Sequence, residues 1–256
     1  MNSRNNIQPK VSVITPSYNS ERYIGKTIES VINQTYQNWE MIIVDDASSD
    51  ETVPLINQYK KEDSRIHVIA LEENKGAANA RNVAIQQSEG RFIAFLDSDD
   101  EWMAEKLQKQ IQFMLEKDIA FSHTTYWVVD QSNQFLNQSE KIASTTTYKD
   151  LLKQNTIGCL TVMLDKEKLG QVQMVDIRAR QDYVLWLEIT KNGNLAYGIN
   201  ECLAKYREIS SSLSSNKWNM AKLNWQVYRD IEKFSLPKSL WYFAHFAVNK
   251  TRKYMK

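Results

Sequence analysis

Up to about residue 100, short β-branched apolar runs alternate with amphipathic segments, an alternation that predicts βαβ units around a parallel sheet. Residues 11–15 read as a buried strand. Asn19 or Ser20 can cap a helix whose apolar face is Tyr23, Ile24, Ile28, Val31 and Ile32. Residues 39–44 form a second strand. Ser48 and Glu51 then have capping-box spacing for a helix through Val53, Ile56 and Tyr59, with Asp45 and Asp46 in the loop between. Residues 65–71 predict a third strand and 77–88 a helix ended by Gly90. Residues 92–96 predict a fourth strand that runs straight into Asp97-Ser98-Asp99-Asp100-Glu101-Trp102.

The pattern then loosens. Residues 102–116 read as a helix with Leu107, Ile111, Met114 and Leu115 on one face, and 119–129 as extended chain turning at Gln131-Ser132-Asn133. Residues 148–154 and 181–191 read as helices, 161–164 and 195–199 as strands, and 210–216 as a polar loop. No internal repeat or low-complexity linker is present. The reading is an α/β domain over residues 1–215, with halves 1–105 and 106–215, and a small helical extension over 216–256.

At 256 residues the chain is long enough for one well-developed core. Its 32 basic and 31 acidic residues nearly cancel, so no global field draws it to nucleic acid. Cys159 and Cys202 belong to no CxxC pair, which disfavours a disulfide framework or a zinc site and fits a reducing cytosol. The first ten residues carry no apolar signal core. The longest apolar run, 240–248, is interrupted by His245 and falls far short of the roughly 20 residues a membrane span needs, so a soluble protein is expected. Residues 235–256 hold five Lys or Arg and no acid, around Leu240-Trp241-Tyr242-Phe243. That composition suits either an anionic membrane surface or a helix packed on the domain.

Ligands of open parallel sheets bind beyond the strand carboxyl ends. Thr15-Pro16-Ser17-Tyr18-Asn19 follows the first strand, Asp45-Asp46 the second and Asp97-Ser98-Asp99-Asp100 the fourth, so the patterning alone puts them on one rim. Asp97, Asp99, Asp100 and Glu101 repel one another unless a cation compensates them; magnesium or manganese, which takes few carboxylates plus phosphate oxygens, is the natural partner. The competing reading makes Asp99 or Asp100 the cap of a helix at Trp102. Asp45-Asp46 could equally be an Asx-turn, Tyr18 a core aromatic or a platform under a base, and Arg81 a solvated helix residue or an anion contact.

Taken together, VSVITPSYN, SVINQTYQNWEMIIVDDASSDET, NKGAANARN and GRFIAFLDSDDEW closely resemble family 2 glycosyltransferases over about the first 105 residues. RQDYVLWLEI and KYREISSSLSSNK are weaker matches to the family's later acidic motif and diphosphate loop. Bacterial teichuronic-acid and other surface-polysaccharide enzymes are the most similar members. The resemblance implies the glycosyltransferase A fold: a Rossmann-like, mostly parallel sheet flanked by helices, with a nucleotide-sugar half and an acceptor half. It implies an inverting, Mn2+- or Mg2+-dependent enzyme using a nucleotide-diphosphate sugar, UDP-linked above all. The acceptor would be a glycan or lipid-carrier-linked glycan at the inner face of the cell membrane.

By the same resemblance, Pro16 and Tyr18 lie against the base with Asn19 in the same loop, Asp46 bonds the ring edge, Asp45 supports that turn and Arg81 approaches the nucleotide. Asp99 is the metal ligand, with Asp97 and Ser98 beside it, and Asp182 the catalytic base. Gln181 stands where an acid is frequent, and Trp186 could stack on an acceptor sugar. Arg207 is a diphosphate candidate weakened by Glu208-Ile209 in place of a histidine. Rival readings are a haloacid-dehalogenase-like phosphatase, a nucleotidyltransferase and an inactive nucleotide-sugar-binding relative. The first lacks its motif near the chain start, and the second its Gly-rich phosphate loop.

Overall fold

The amino-terminal half folds around four parallel strands: β1 (Val11–Ser17), β2 (Trp39–Asp45), β3 (Ile66–Ala70) and β4 (Phe92–Phe95). β1 is central and buried throughout, with β2 and β4 beside it and β3 outside β2. β1, β2 and β4 are buried at every position, and strands covered on both faces stay largely apolar, while β3 at the edge is only partly buried. Helices α1 (Ile24–Ile32), α2 (Thr52–Glu62) and α3 (Ala77–Gln86) provide the crossovers. The computed structural model describes residues 8–209 and 217–254, so the expected loop at 210–216 lies outside the described residues.

The second half contributes β5 (Glu101–Trp102), α4 (Lys106–Lys117), β6 (Phe121–Val129), β7 (Phe135–Gln138), β8 (Thr145–Thr146), α5 (Tyr148–Lys153), β9 (Met163–Asp165), α6 (Lys166–Leu169), α7 (Gln181–Lys191) and β10 (Ala196–Arg207). The sheet order is β3-β2-β1-β4-β9-β6-β10-β5, with β7 on β6 and β8 on β10. β9 is antiparallel to both β4 and β6, so β6 and β10 regain the direction of β1. Successive residues of β2 face opposite sides: Ile42 and Val44 join a core under α3, α5 and α7, while Met41 and Ile43 join one under α1, α2 and α4.

Several expected boundaries move. α2 starts at Thr52 with no side-chain cap, because Ser48 is already committed: its N–H and Oγ both donate to the Asp45 carboxylate, at 2.8 and 2.5 Å. α3 stops at Gln86, before Gly90. That glycine instead makes room for β1, since a Cβ there would sit 2.6 Å from the Ser12 nitrogen. Residues 101–102 are a strand against β10, and α4 begins only at Lys106. Trp102 and Lys106 mimic a helical face because they are four apart, yet the indole donates to the Leu160 carbonyl at 2.9 Å and the Lys106 ammonium sits 4.1 Å over the ring. Residues 159–161 form a 3-10 turn ahead of β9, and β10 runs well past residue 199 through two irregular registers.

α8 (Lys217–Gln226), a π-helical turn over Val227–Ile231 and α9 (Leu236–Tyr254) form the extension. Val227, Tyr228 and Phe234 belong to the core that includes Phe95 and Trp186, and Tyr242 and Phe243 pack against it. The Tyr228 hydroxyl donates to the Leu152 carbonyl at 2.7 Å, and Lys191 pairs with Glu232 at 2.9 Å. Leu240, Trp241 and Val248 face outward and are exposed. No helix among the described residues is long and apolar enough to cross a membrane.

Candidate active site

The strand ends converge as the patterning predicts. Pro16, Tyr18, Asp46, Arg81, Asp97, Ser98, Asp99, Gln181 and Asp182 line one cleft of about 530 Å³. β1 carries Pro16 to its wall, and the turn after β4 carries the acidic loop.

At one end the Asp46 carboxylate is buried and fixed: Oδ1 accepts the Lys75 N–H at 2.8 Å and Oδ2 the Gly76 N–H at 2.7 Å. Gly76 has φ 89°, a left-handed conformation that favours glycine, so the loop entering α3 can wrap this carboxylate. Tyr18 is 51% exposed beside it, which removes the core-aromatic reading. Asn19 and Asp45 stand behind the wall. Asn19 accepts the Ser49 N–H at 2.9 Å and donates its own N–H to Ser48 at 2.8 Å, clamping two loops together.

Arg81 is 6% exposed and its guanidinium is ion-paired with Asp97. Burial alone would lower its proton affinity, but the Asp97 carboxylate, helped by Asp182, reverses this and raises it. Burial, then the neighbouring Asp97 charge, pushes the Asp99 carboxyl up to about 6. Asp100 is likewise raised, by burial and then by Asp99 and Asp97. Neither acid caps a helix, because the chain enters β5 there.

Such crowding is what a hard cation relieves. Among the described residues no three His, Cys, Asp or Glu side chains gather to hold a metal by themselves. The donor set fits magnesium or manganese in its usual mode, one or two protein carboxylates with the remaining positions filled by phosphate and water oxygens.

Asp182 lies in the first turn of α7, and burial raises its carboxyl above the ordinary range against the opposing pull of Arg81, the Tyr183 N–H and Arg180. Two expected roles do not survive the geometry. Trp186 is fully buried, its ring packed 5.7 Å from Phe95 and 5.2 Å from Phe121, so it cannot stack on an acceptor sugar. One helical turn beyond Asp182 puts it under the cleft floor. Arg207 is 2% exposed and lies behind the acidic loop: Nε donates to the Asp99 carbonyl and Nη1 to the Asp130 carbonyl, both at 2.9 Å, and Nη2 to Glu101 at 2.6 Å. It braces the loop and is not free to take a diphosphate.

The cleft also contains Arg178, Arg180, Asn155, Tyr126, Cys159 and Met220, which sequence reasoning missed. The only signal for the two arginines was their position four and two residues before Asp182.

Residues 12–166 match the family model described as Glycosyl transferase family 2. A Bacillus subtilis (strain 168) glycosyltransferase named for teichuronic acid biosynthesis is 52% identical over 248 residues, covering 97% of this chain and 98% of that protein. A UDP-Glc:α-D-GlcNAc-diphosphoundecaprenol β-1,3-glucosyltransferase of Escherichia coli is 41% identical, covering 95% of this chain and 94% of its own length. Among solved structures, S. aureus TarS 1–349 in complex with UDP-GlcNAc aligns with a TM-score of 0.74 at 23% identity, over 93% of this chain and 71% of that one. The mannosyltransferase PcManGT from Pyrobaculum calidifontis, in complex with GDP-Man and Mn2+, aligns at 0.67 and 15%, over 95% of this chain and 74% of that one. The fold is that of the glycosyltransferase A class. The chain belongs to glycosyl transferase family 2.

Proposed function

We propose that this protein is an inverting, divalent-metal-dependent transferase that moves a sugar from a UDP-sugar to a hydroxyl of a lipid-diphosphate-linked glycan during bacterial surface-polysaccharide synthesis. The reaction would take place at the cytoplasmic membrane face, with the outward residues of α9 against the lipid. The observation that carries the reading is that Asp99 and Asp182 share one cleft, which is also lined by Arg81 in its ion pair with Asp97. The names of the relatives and the UDP-sugar complex of the TarS structure support the donor and acceptor classes.

Tyr18 and Pro16 offer a flat apolar wall for the base, and the fixed Asp46 carboxylate offers acceptor lone pairs to an N–H on its ring edge. Asp182 takes the proton of the acceptor hydroxyl as that oxygen attacks the anomeric carbon. The new glycosidic bond forms on the face opposite the breaking bond to the diphosphate oxygen, and the configuration inverts. A carboxyl held above its ordinary range by burial is the stronger base for this step, and such assistance contributes about 100- to 10,000-fold. A divalent cation bound at Asp99 would neutralise the negative charge that grows on the leaving diphosphate.

The test is a panel of nucleotide sugars assayed for transfer with and without chelator. Manganese should restore what chelation removes; full activity in chelator sinks the metal assignment.

A further inference from the structure

We propose that Arg178 and Arg180 form a second anion subsite in the cleft, one that holds a phosphate ester carried by the acceptor. The proposal rests on the transferase reading above. Both arginines line the cleft on the segment entering α7, Arg180 partly buried and Arg178 exposed to solvent. The other arginine of the cleft, Arg81, is committed to Asp97, and Arg207 behind the acidic loop to Glu101. Arg178 and Arg180 pair with no carboxylate among the described residues, and the Arg180 Nε is buried without any partner. The Arg180 guanidinium lies 5.7 Å from the Tyr183 ring centroid, and a guanidinium presents its N–H donors in a planar fork suited to oxygen ligands.

The backbone adds a second line. Arg180 is held at φ 72°, a left-handed conformation that costs a non-glycine residue on the order of 1 kcal/mol, and it leaves α7 without a side-chain cap. An unpaired cation, strained backbone and uncapped helix N–H groups come together at one point of a partly dehydrated cleft. The guanidinium and the helix N–H groups are donors that phosphate oxygens satisfy, the guanidinium in bidentate fashion.

Which phosphate this is follows from the direction of attack. In an in-line displacement the incoming oxygen and the leaving diphosphate occupy opposite faces of the anomeric carbon. Asp99 stands on the leaving-group side and Asp182 on the attacking side. Arg178 and Arg180 enter the cleft on the segment that carries Asp182 into it, while Asp97 and Asp99 enter on the turn after β4, so the cations accompany the nucleophile's molecule and not the donor's.

The test is calorimetry on the full chain saturated with UDP and Mn2+, titrated with octyl diphosphate against a metal-containing buffer blank. The same probe is then titrated without UDP. The wild type should bind it in both conditions, and Arg178→Ala and Arg180→Gly should each weaken it at least tenfold while UDP affinity stays unchanged. Arg180→Gly suits the left-handed backbone, so a loss there is not strain. Probe binding that survives both substitutions overturns the subsite, and so does a probe that competes with UDP, because the arginines would then serve the donor diphosphate. A wild type that binds the probe but no UDP overturns the donor reading and leaves the subsite standing.

Discussion

Arg207 Nη2 donates to Glu101 Oε1 at 2.6 Å, and the Arg207 backbone N–H donates to Asp100 Oδ1 at 2.9 Å, so one residue at the end of β10 holds two consecutive acids of the acidic loop. Arg207→Met leaves Glu101 with Lys205, at 3.1 Å, as its remaining ion pair, and frees the Asp99 and Asp130 carbonyls. Breaking a buried pair by removing one partner costs about 3–5 kcal/mol. Urea unfolding of Arg207→Met should show that loss, and UDP–Mn2+ titration a weaker complex. Wild-type stability with weakened UDP binding would restore the direct diphosphate role.

Trp186 fills the core against Phe95 and Phe121, so its substitution should act on stability and not on acceptor recognition. Trp186→Ala should cost about 3–5 kcal/mol. Trp186→Phe should keep the acceptor KM within about twofold of wild type, as expected when no substrate contact is lost. A rise in acceptor KM alone, with normal unfolding, would contradict the buried placement.

His123 is buried, neither ring nitrogen has a partner, and burial lowers its pKa from 6.5 to about 4. The sign follows directly. Between those values the unfolded chain binds a proton that the folded chain excludes, so stability falls as pH drops from about 6.5 to 4, by about 3 kcal/mol over the window. His123→Phe removes this dependence. The difference between the unfolding free energies of variant and wild type should shift in favour of the variant across that range; a flat difference would mean that the imidazole is solvated or paired.

The rim was legible because strand and helix periodicities are local and each acidic or aromatic cluster directly follows a strand. Ser48 shows where local signals mislead, since its spacing to Glu51 fits a cap while Asp45 outcompetes the helix for its hydroxyl. The long-range facts were not legible. The reversal of β9, the pairing of Glu101-Trp102 with β10 and the placement of Arg207 behind the acidic loop depend on segments roughly 70 to 105 residues apart. Arg178 and Arg180 look like any solvated arginines in a polar stretch until the fold places them on the wall of the cleft.

The central claim divides the cleft into a donor half at Asp99 and a nucleophile-activating half at Asp182. It is tested most directly by measuring UDP–Mn2+ affinity and sugar transfer side by side in Asp99→Asn and Asp182→Asn. Asp182→Asn should keep UDP affinity while transfer falls about 100-fold or more, and Asp99→Asn should lose the manganese-dependent part of UDP binding together with transfer. Near-wild-type transfer by Asp182→Asn, or unaltered manganese dependence in Asp99→Asn, would contradict the account.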